Sequence, residues 1–319
     1  MKRALVTGAG GFIGGHLVTR LKKEGYYVTG ADLHLHSYVK SQADKFLTCD
    51  LRDPKHCHRV ITDEYDEVYH LAADHGGIGH IIKNEQYVMA NNTAINHAVI
   101  EQCVLAGIPR LFFSSSVCVY RNMKAGESEM TESHVYPAYP DSEYGWEKLY
   151  AERSLLTQAR HSNMQVRIAR FKTVYGPYCT FEGGREKVVP ALCKKIAETD
   201  DGGIVEVWGD GTALRCFTYV DDLVDGIRIL MKSDVDEPLN LGNSRRWTIN
   251  ELVMLIAKVA QKDIRIYNNL DKPVGVLARN FSTKQIEALG WRPKFRLEEG
   301  LRRTYSWIDA QVQKGRGTC

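Results

Sequence analysis

A doubly wound parallel α/β sheet is the fold class predicted for this 319-residue chain, and three observations predict it. Short apolar runs alternate with helix-length amphipathic stretches, the pattern of strands joined by crossover helices. A glycine-rich turn stands between the first apolar run and the first amphipathic stretch, and an acidic residue closes the second run. A smaller, mixed α/β part is expected to follow this sheet.

The elements follow in order. Arg3-Ala4-Leu5-Val6-Thr7 is a short apolar run, Gly8-Ala9-Gly10-Gly11-Phe12-Ile13-Gly14 comes next, and apolar positions recur at helical spacing over residues 12–24 until Gly25. Strand, glycine turn and helix in this order make a phosphate cradle. The backbone turns tightly enough to lie against a pyrophosphate, and the free N–H groups and positive dipole end of the helix face its oxygens. A lone glycine turn has a purely structural reading as well. Here residues 26–31 form a second strand that ends at Asp32, about the separation expected for the acid that binds an adenosine ribose. A carboxylate there accepts from both ribose hydroxyls and repels a 2′-phosphate, so NAD rather than NADP is the expected cofactor.

Further strands are expected over residues 46–52 and 67–73, with their carboxyl ends toward the cofactor. Gly8, Gly11, Phe12, Ile13, Gly14, Asp32, Asp50, Leu51 and Ala72 are the candidate cofactor contacts from this half. A crossover helix over residues 85–106 is stopped by Gly107-Ile108-Pro109, and the strand 110–113 follows.

Composition excludes several functions. The net charge of +3 is small, acids and bases are interleaved, and no basic surface for nucleic acid or membrane is indicated. No stretch approaches the length of a membrane span, and Met1-Lys2-Arg3 leads straight into a strand rather than a signal peptide. Cys49, Cys57, Cys103, Cys118, Cys179, Cys193, Cys216 and Cys319 show no metal-ligand spacing, so no metal site is expected. Most of these thiols are expected as core filler in a reduced cytoplasmic protein.

Tyr144-Gly145-Trp146-Glu147-Lys148 places a phenol and an ammonium four residues apart, on one face of a helix expected to run through Arg160. An adjacent cation favours the phenolate, so Lys148 is expected to lower the pKa of Tyr144. Ser114-Ser115-Ser116 sits just after an apolar strand, where a hydroxyl can face the same site. Taken alone, Tyr-x-x-x-Lys is equally a surface helix pair.

The order of glycine turn, ribose acid, serine and Tyr-x-x-x-Lys resembles the extended short-chain dehydrogenase/reductase family over nearly the whole chain, at Gly8, Gly11 and Gly14, Asp32, Ser116, and Tyr144 with Lys148. The resemblance implies a Rossmann-type fold, bound NAD, a tyrosine that exchanges a proton with a substrate hydroxyl while hydride passes, a lysine that holds the cofactor ribose, and a serine that polarises the oxygen. Four further segments are similar to the GDP-mannose 3,5-epimerase branch: residues 72–79, 115–120, Gly183-Gly184-Arg185-Glu186-Lys187, and Trp208-Gly209-Asp210-Gly211.

That resemblance implies epimerisation of a nucleotide sugar at C3 and/or C5, with GDP-L-galactose or GDP-L-gulose as products of GDP-mannose. Oxidation at C4 gives a ketone that acidifies the protons on both neighbouring carbons, and a proton donor and acceptor are needed on two faces. By resemblance Cys118 and Lys187 take those roles; by themselves a cysteine is more often a small buried hydrophobe and a lysine a solvated charge. The substrate contacts implied are Gly76, Gly77, Ser116, Val117, Cys118, Tyr144, Thr173, Glu186, Lys187, Lys195, Arg215 and Arg279, the last three suited to a diphosphate. A homodimer is implied too. Lys172-Thr173 and Thr212-Ala213-Leu214 depart from the branch pattern near the expected sugar or nucleotide.

Residues 1–175 and about 213–243 are expected to form the NAD-binding domain, and about 176–212 with 244–319 the sugar-nucleotide domain. The competing readings are a 4-epimerase, a dehydratase or a decarboxylase on the same scaffold, and a non-catalytic NAD-binding protein. A dehydratase is expected to carry an acid pair where this chain has Val117-Cys118.

Overall fold

The computed structural model describes residues 1–316 except 124, 125, 273, 275 and 277, so Cys319 lies outside the described residues. The chain begins β1 (Arg3–Thr7), α1 (Phe12–Lys23), β2 (Tyr27–Asp32), β3 (Lys45–Thr48), α2 (Pro54–Val60), β4 (Glu67–His70), α3 (Ile78–Lys83), α4 (Glu85–Leu105) and β5 (Arg110–Ser116). It continues through α5 (Glu143–Arg160), β6 (Gln165–Phe171), β7 (Thr173–Tyr175), α6 (Val188–Glu198), β8 (Ile204–Trp208), β9 (Leu214–Tyr219) and α7 (Val220–Lys232). The last elements are β10 (Leu239–Leu241), β11 (Arg246–Thr248), α8 (Ile249–Ala260), β12 (Arg265–Asn269), α9 (Lys284–Ala288) and α10 (Leu297–Arg316).

Seven parallel strands form the central sheet in the order β10-β6-β5-β4-β1-β2-β3. The strand order reverses between β1 and β4, and the crevice at the carboxyl ends of these strands is where open α/β sheets take their ligands. The expected doubly wound sheet is therefore present.

Each face of the sheet is covered, which is why its strands read as continuous apolar runs. Leu17, Val18 and Leu21 of α1 pack with Leu223, Val224 and Ile227 of α7 on one face. Cys57 and Val60 of α2, Ile95 and Val99 of α4, and Ala151 and Leu155 of α5 cover the other. A third cluster, including Val189 and Leu192 of α6, Val205 and Val207 of β8, Leu252 and Ile256 of α8, and Leu301 and Ile308 of α10, makes the core of the smaller part. There β12 and β8 pair in parallel, and β9 lies between β7 and β11.

The strand expected over 67–73 stops at His70, and two further boundaries differ from expectation. The strand expected over 46–52 stops at Thr48, because Asp50 accepts the Arg52 backbone N–H at 2.9 Å and bonds its guanidinium, turning the chain before Asp53 caps α2. The strand from Arg110 runs on to Ser116, so the serines lie within β5 rather than after it. No helix among the described residues is long and apolar enough to cross a membrane.

Candidate active site

The cofactor end is built at the β1–α1 turn. Gly11 is the first flanking residue of α1, with no side-chain cap, and no acid stands in the helix's first turn, so the leading N–H groups are open to an anion. A Cβ on Gly14 would stand 2.0 Å from the Gly8 carbonyl oxygen, so only glycine lets the helix approach the strand this closely. Phe12 and Ile13 occupy the first turn, half-buried.

Asp32 ends β2, and its carboxylate accepts the backbone N–H groups of Gly10 at 2.9 Å and His34 at 3.2 Å. Burial pushes this carboxyl up, and those N–H donors oppose the rise. Asp50 and Leu51 follow β3, and Ala72 lies beyond β4 with its N–H 3.3 Å from Thr7 Oγ1.

The chemical end is built by β5 and α5. Ser116 Oγ accepts the Cys118 N–H at 3.2 Å and starts the 3-10 turn Val117–Val119, while Ser142 caps α5 by accepting the Gly145 N–H at 3.2 Å. These two caps bring Ser116, Cys118, Tyr144 and Lys148 together. Lys148 is 1% exposed; its Nζ stands 4.8 Å from the Phe113 ring centroid and 5.7 Å from that of Tyr144, with no hydrogen-bond partner.

The expectation that Lys148 lowers the pKa of Tyr144 is corrected by the structure. Burial holds the phenol well above its ordinary range, Cys118 and Glu147 push the same way, and the Ser116 hydroxyl is the counterweight. Tyr144 is thus held as the neutral phenol.

Cys118 is the half-buried cysteine; the other six among the described residues are buried. Burial pushes Cys57 and Cys179 up to about 12, which suits inert core thiols. Arg279, distant in sequence, donates from Nη1 and Nη2 to the Cys118 sulfur at 3.5 Å each and also pairs with Asp141. The Asp141 N–H in turn donates to the Cys118 carbonyl at 3.2 Å.

Lys187 is the flanking residue at the start of α6. Burial pulls its ammonium below the ordinary lysine range, opposed by Cys118 and Cys179 and reinforced by Arg279. Two of the family-like segments dock on each other here. The Gly77 N–H donates to the Arg185 carbonyl at 3.0 Å, and Arg185 Nη1 bonds Asp74 Oδ1 at 2.9 Å. A Cβ on Gly77 would stand 2.2 Å from the Glu186 carbonyl oxygen. Glu186 Oε2 is buried without a partner, and Gly76, next to Gly77 in sequence, is buried.

Three residues were not singled out as site residues by the sequence, although His75 and Trp208 lie in family-like segments. The His75 ring stacks on Tyr144 with centroids 4.8 Å apart, and burial together with Lys187 and Lys148 keeps it neutral, well below the ordinary imidazole range. Asp141 orients Arg279. Trp208, 41% exposed, has the ammonium groups of Lys195 and Lys272 each 5.9 Å from its ring. The roles of these three depend on contacts between separate segments.

The remaining predicted contacts are more scattered. Lys195 Nζ donates to the Glu206 carbonyl at 2.9 Å, so it is held at the edge of β8. Arg215 lies half-buried on β9, brought down to about 10 by burial and Arg279. Thr173 opens β7, and its neighbour Lys172 is a strut: buried, it donates to the carbonyls of Phe281 at 2.6 Å and Asn243 at 3.3 Å.

The site fits a dinucleotide. The uncapped helix start, the glycine close approach, the Asp32 carboxylate and the orphaned Lys148 ammonium supply partners for a pyrophosphate and two ribose rings.

The comparisons agree with this geometry. The sequence profile of the NAD dependent epimerase/dehydratase family matches residues 4–242. The chain is 40% identical over 315 residues to the GDP-mannose 3,5-epimerase of Arabidopsis thaliana, covering 97% of this chain and 82% of that protein. In structure it resembles a UDP-glucose 4-epimerase of Thermotoga maritima solved with UDP-glucose (TM-score 0.88, 26% identity, 97% and 99% of the two chains). It also resembles a Thermus thermophilus UDP-glucose 4-epimerase in complex with NAD (TM-score 0.84, 25% identity, 96% and 98%). The chain belongs to the NAD dependent epimerase/dehydratase family.

Proposed function

We propose that this chain is an isomerase acting on GDP-mannose, inverting C3 and/or C5 by transient oxidation at C4, proton exchange and re-reduction. The observation that carries the reading is the convergence of Cys118, with two guanidinium donors on its sulfur, and a burial-perturbed Lys187 on the Tyr144 site. A simple 4-epimerase needs neither group, and a dehydratase calls for acids where this chain has Val117-Cys118.

NAD, when bound, accepts the hydride from C4 and returns it at the end. Gly8, Gly11, Phe12, Ile13, Gly14, Asp32, Asp50, Leu51 and Ala72 would hold it, with Tyr144 and Lys148. Tyr144 first gives up its phenolic proton to solvent, with the unpartnered Lys148 ammonium offsetting the phenolate charge, and then takes the O4 proton as the C4–H bond breaks; Ser116 donates to the same oxygen. The C4 ketone then acidifies C3–H and C5–H. One of Cys118 and Lys187 removes a proton from one face, and the other delivers a proton to the opposite face. Protonated by that first transfer, Tyr144 returns the proton to O4 in the final step.

Arg279 steadies the sulfur through each transfer. Gly76, Gly77, Val117, Thr173 and Glu186 line the hexose, and Arg215 and Lys195 bind the diphosphate, with the Trp208 indole offered to the base. Residues about 176–212 and 244–319 form the sugar-nucleotide side. Exposed Tyr87, Trp146 and Tyr150 on α4 and α5 support a homodimer, and the unpaired cysteines support a reducing, cytoplasmic setting.

The test is incubation of the NAD-loaded protein with GDP-mannose and resolution of the products by NMR. GDP-L-galactose or GDP-L-gulose is expected. A 4-epimer, a 4-keto-6-deoxy sugar or unchanged GDP-mannose refutes the assignment.

A further inference from the structure

Beneath Tyr144 and Lys148 runs a buried polar chain that the proposed chemistry leaves unused. Glu147 Oε1 accepts from Asn96 Nδ2, Asn96 Oδ1 is hydrogen-bonded to His70 Nε2 at 2.8 Å, and His70 Nδ1 to Thr7 Oγ1 at 2.8 Å. Thr7 Oγ1 also accepts the N–H groups of Leu71 and Ala72, at 3.3 Å each. The chain therefore links α5, through α4, to the ends of β4 and β1 where the dinucleotide cradle is built.

Four charged side chains are buried together here: Glu147, Lys148 and Glu152 are each 1% exposed and Arg170 is 3% exposed. Two of them close on each other. Glu152 takes Arg170 at 3.0 and 2.7 Å and the Ser115 hydroxyl as well. Glu147 Oε2 and Lys148 Nζ are both left without a hydrogen-bond partner, adjacent in sequence and both buried. A buried ammonium needs a counter-charge, and Glu147 is the acid that no guanidinium claims.

We propose that Glu147 is a positioning residue, the buried counter-charge of Lys148, held in register by Asn96 and His70. This rests on the assignment of Tyr144 and Lys148 to the hydride-transfer site. Glu147 raises the pKa of Lys148 against the depression by burial, and it also raises that of Tyr144. Burial pushes the Glu147 carboxyl itself up, opposed by Lys148; the other groups that bear on the pair are Glu152 on the same helix, His70 of β4, His75 stacked on Tyr144, Ser116, Cys118, Asp141 and Arg279, while Arg170 is taken up by Glu152.

Replacing the carboxylate by its amide keeps an oxygen for Asn96 and removes one negative charge. Every neighbouring proton is then released more easily, so both Tyr144 and Lys148 titrate at lower pH. A merely structural loss would lower rates without moving the titrations in this paired way.

The experiment compares wild type, Glu147→Gln and Glu147→Asp as NAD-loaded proteins. Ionisation of Tyr144 is followed by its ultraviolet tyrosinate difference spectrum, with Tyr144→Phe versions of each as the background, so no sugar is required. Glu147→Gln is expected to move the Tyr144 titration down by about one pH unit, with Glu147→Asp remaining near wild type. Coincident titrations in wild type and Glu147→Gln overturn the proposal. Heavy-water exchange into GDP-mannose, measured alongside, is expected to show both limbs of its pH profile displaced downward in Glu147→Gln. Wild type that shows the tyrosinate shift on mutation but no exchange would instead overturn the substrate assignment and leave the counter-charge standing.

Discussion

Replacing Gly77 by alanine isolates the docking of the two segments that frame the sugar. The backbone of Gly77 has φ −69°, which any residue adopts, so the effect of an added methyl is steric alone. Its Cβ would lie 2.2 Å from the Glu186 carbonyl oxygen, where ordinary contact begins at 3.4 Å. The two strands of backbone must part by roughly 1 Å, and a misplacement of that size costs about 100-fold in a positioned reaction. That is about 2.7 kcal/mol of transition-state stabilisation. The Gly77–Arg185 backbone hydrogen bond weakens with it, and Lys187, two residues beyond Arg185, is carried away from the sugar. Position-resolved deuterium uptake from heavy water is expected to fall about 100-fold at the carbon Lys187 serves. NAD affinity, measured by calorimetry, should stay unchanged, because Gly8, Gly11, Gly14 and Asp32 are carried by β1, α1 and β2, which the added methyl does not touch. Wild-type exchange in Gly77→Ala, or a matching loss of NAD binding, would refute the reasoning.

Five more outcomes follow from the same geometry. Cys118→Ala is expected to retain transient formation of reduced cofactor absorbance on mixing with GDP-mannose while losing solvent exchange at one carbon; retention of both exchanges contradicts the role given to the thiol. Asp32→Ala should weaken NAD by about 1.5–3 kcal/mol, the worth of hydrogen bonds to a charged acceptor, with little change in the Michaelis constant of the sugar nucleotide. Trp208→Ala is expected to raise that Michaelis constant and leave the turnover number within a few-fold; the reverse split would remove the indole from the nucleotide site. The fourth concerns stability. Burial pushes the Glu24 carboxyl up, but Arg228, Lys232 and Arg20 outweigh it and hold the group at about 2, below the ordinary 4.5. A depressed folded pKa contributes stability above the unfolded value and loses it as pH falls, so Tm should drop between about pH 4.5 and 2. Arg228→Met, which leaves buried Glu67 without its 2.8 Å partner, should cost about 3–5 kcal/mol at neutral pH by chemical denaturation.

What was legible in the sequence is what is local. The glycine turn, the acid closing β2 and the Tyr144–Lys148 pair each lie within one strand, turn or helix, where spacing alone determines which face a side chain occupies. Lys187 and Cys118 were nameable because whole segments resembled a family branch. Contacts across the fold were not legible. Arg279 reaches Cys118 from 161 residues away, Arg185 reaches Asp74 from 111, and Asn96 reaches Glu147 from 51. None of these pairs has a spacing that a periodic pattern can register.

The departures Lys172 and Asp50 show the same limit from the other side. Lys172 stood near the expected sugar, yet its ammonium is consumed by the Phe281 and Asn243 carbonyls, holding in place the segment that carries Arg279. Asp50 read as the end of a strand, and its own bonds to Arg52 bend the chain before that strand can run so far. The reading of Tyr144 failed for a related reason: the charge of Lys148 was visible in the sequence, but the depth of burial that outweighs it was not.

The account turns on proton exchange at the carbons flanking C4. Incubation of the NAD-loaded protein with GDP-mannose in heavy water, followed by NMR of the recovered hexose, measures it directly. Deuterium at C3, C5 or both, with none at C4, is the predicted result. A hexose epimerised only at C4, or recovered without deuterium at C3 and C5, would contradict it.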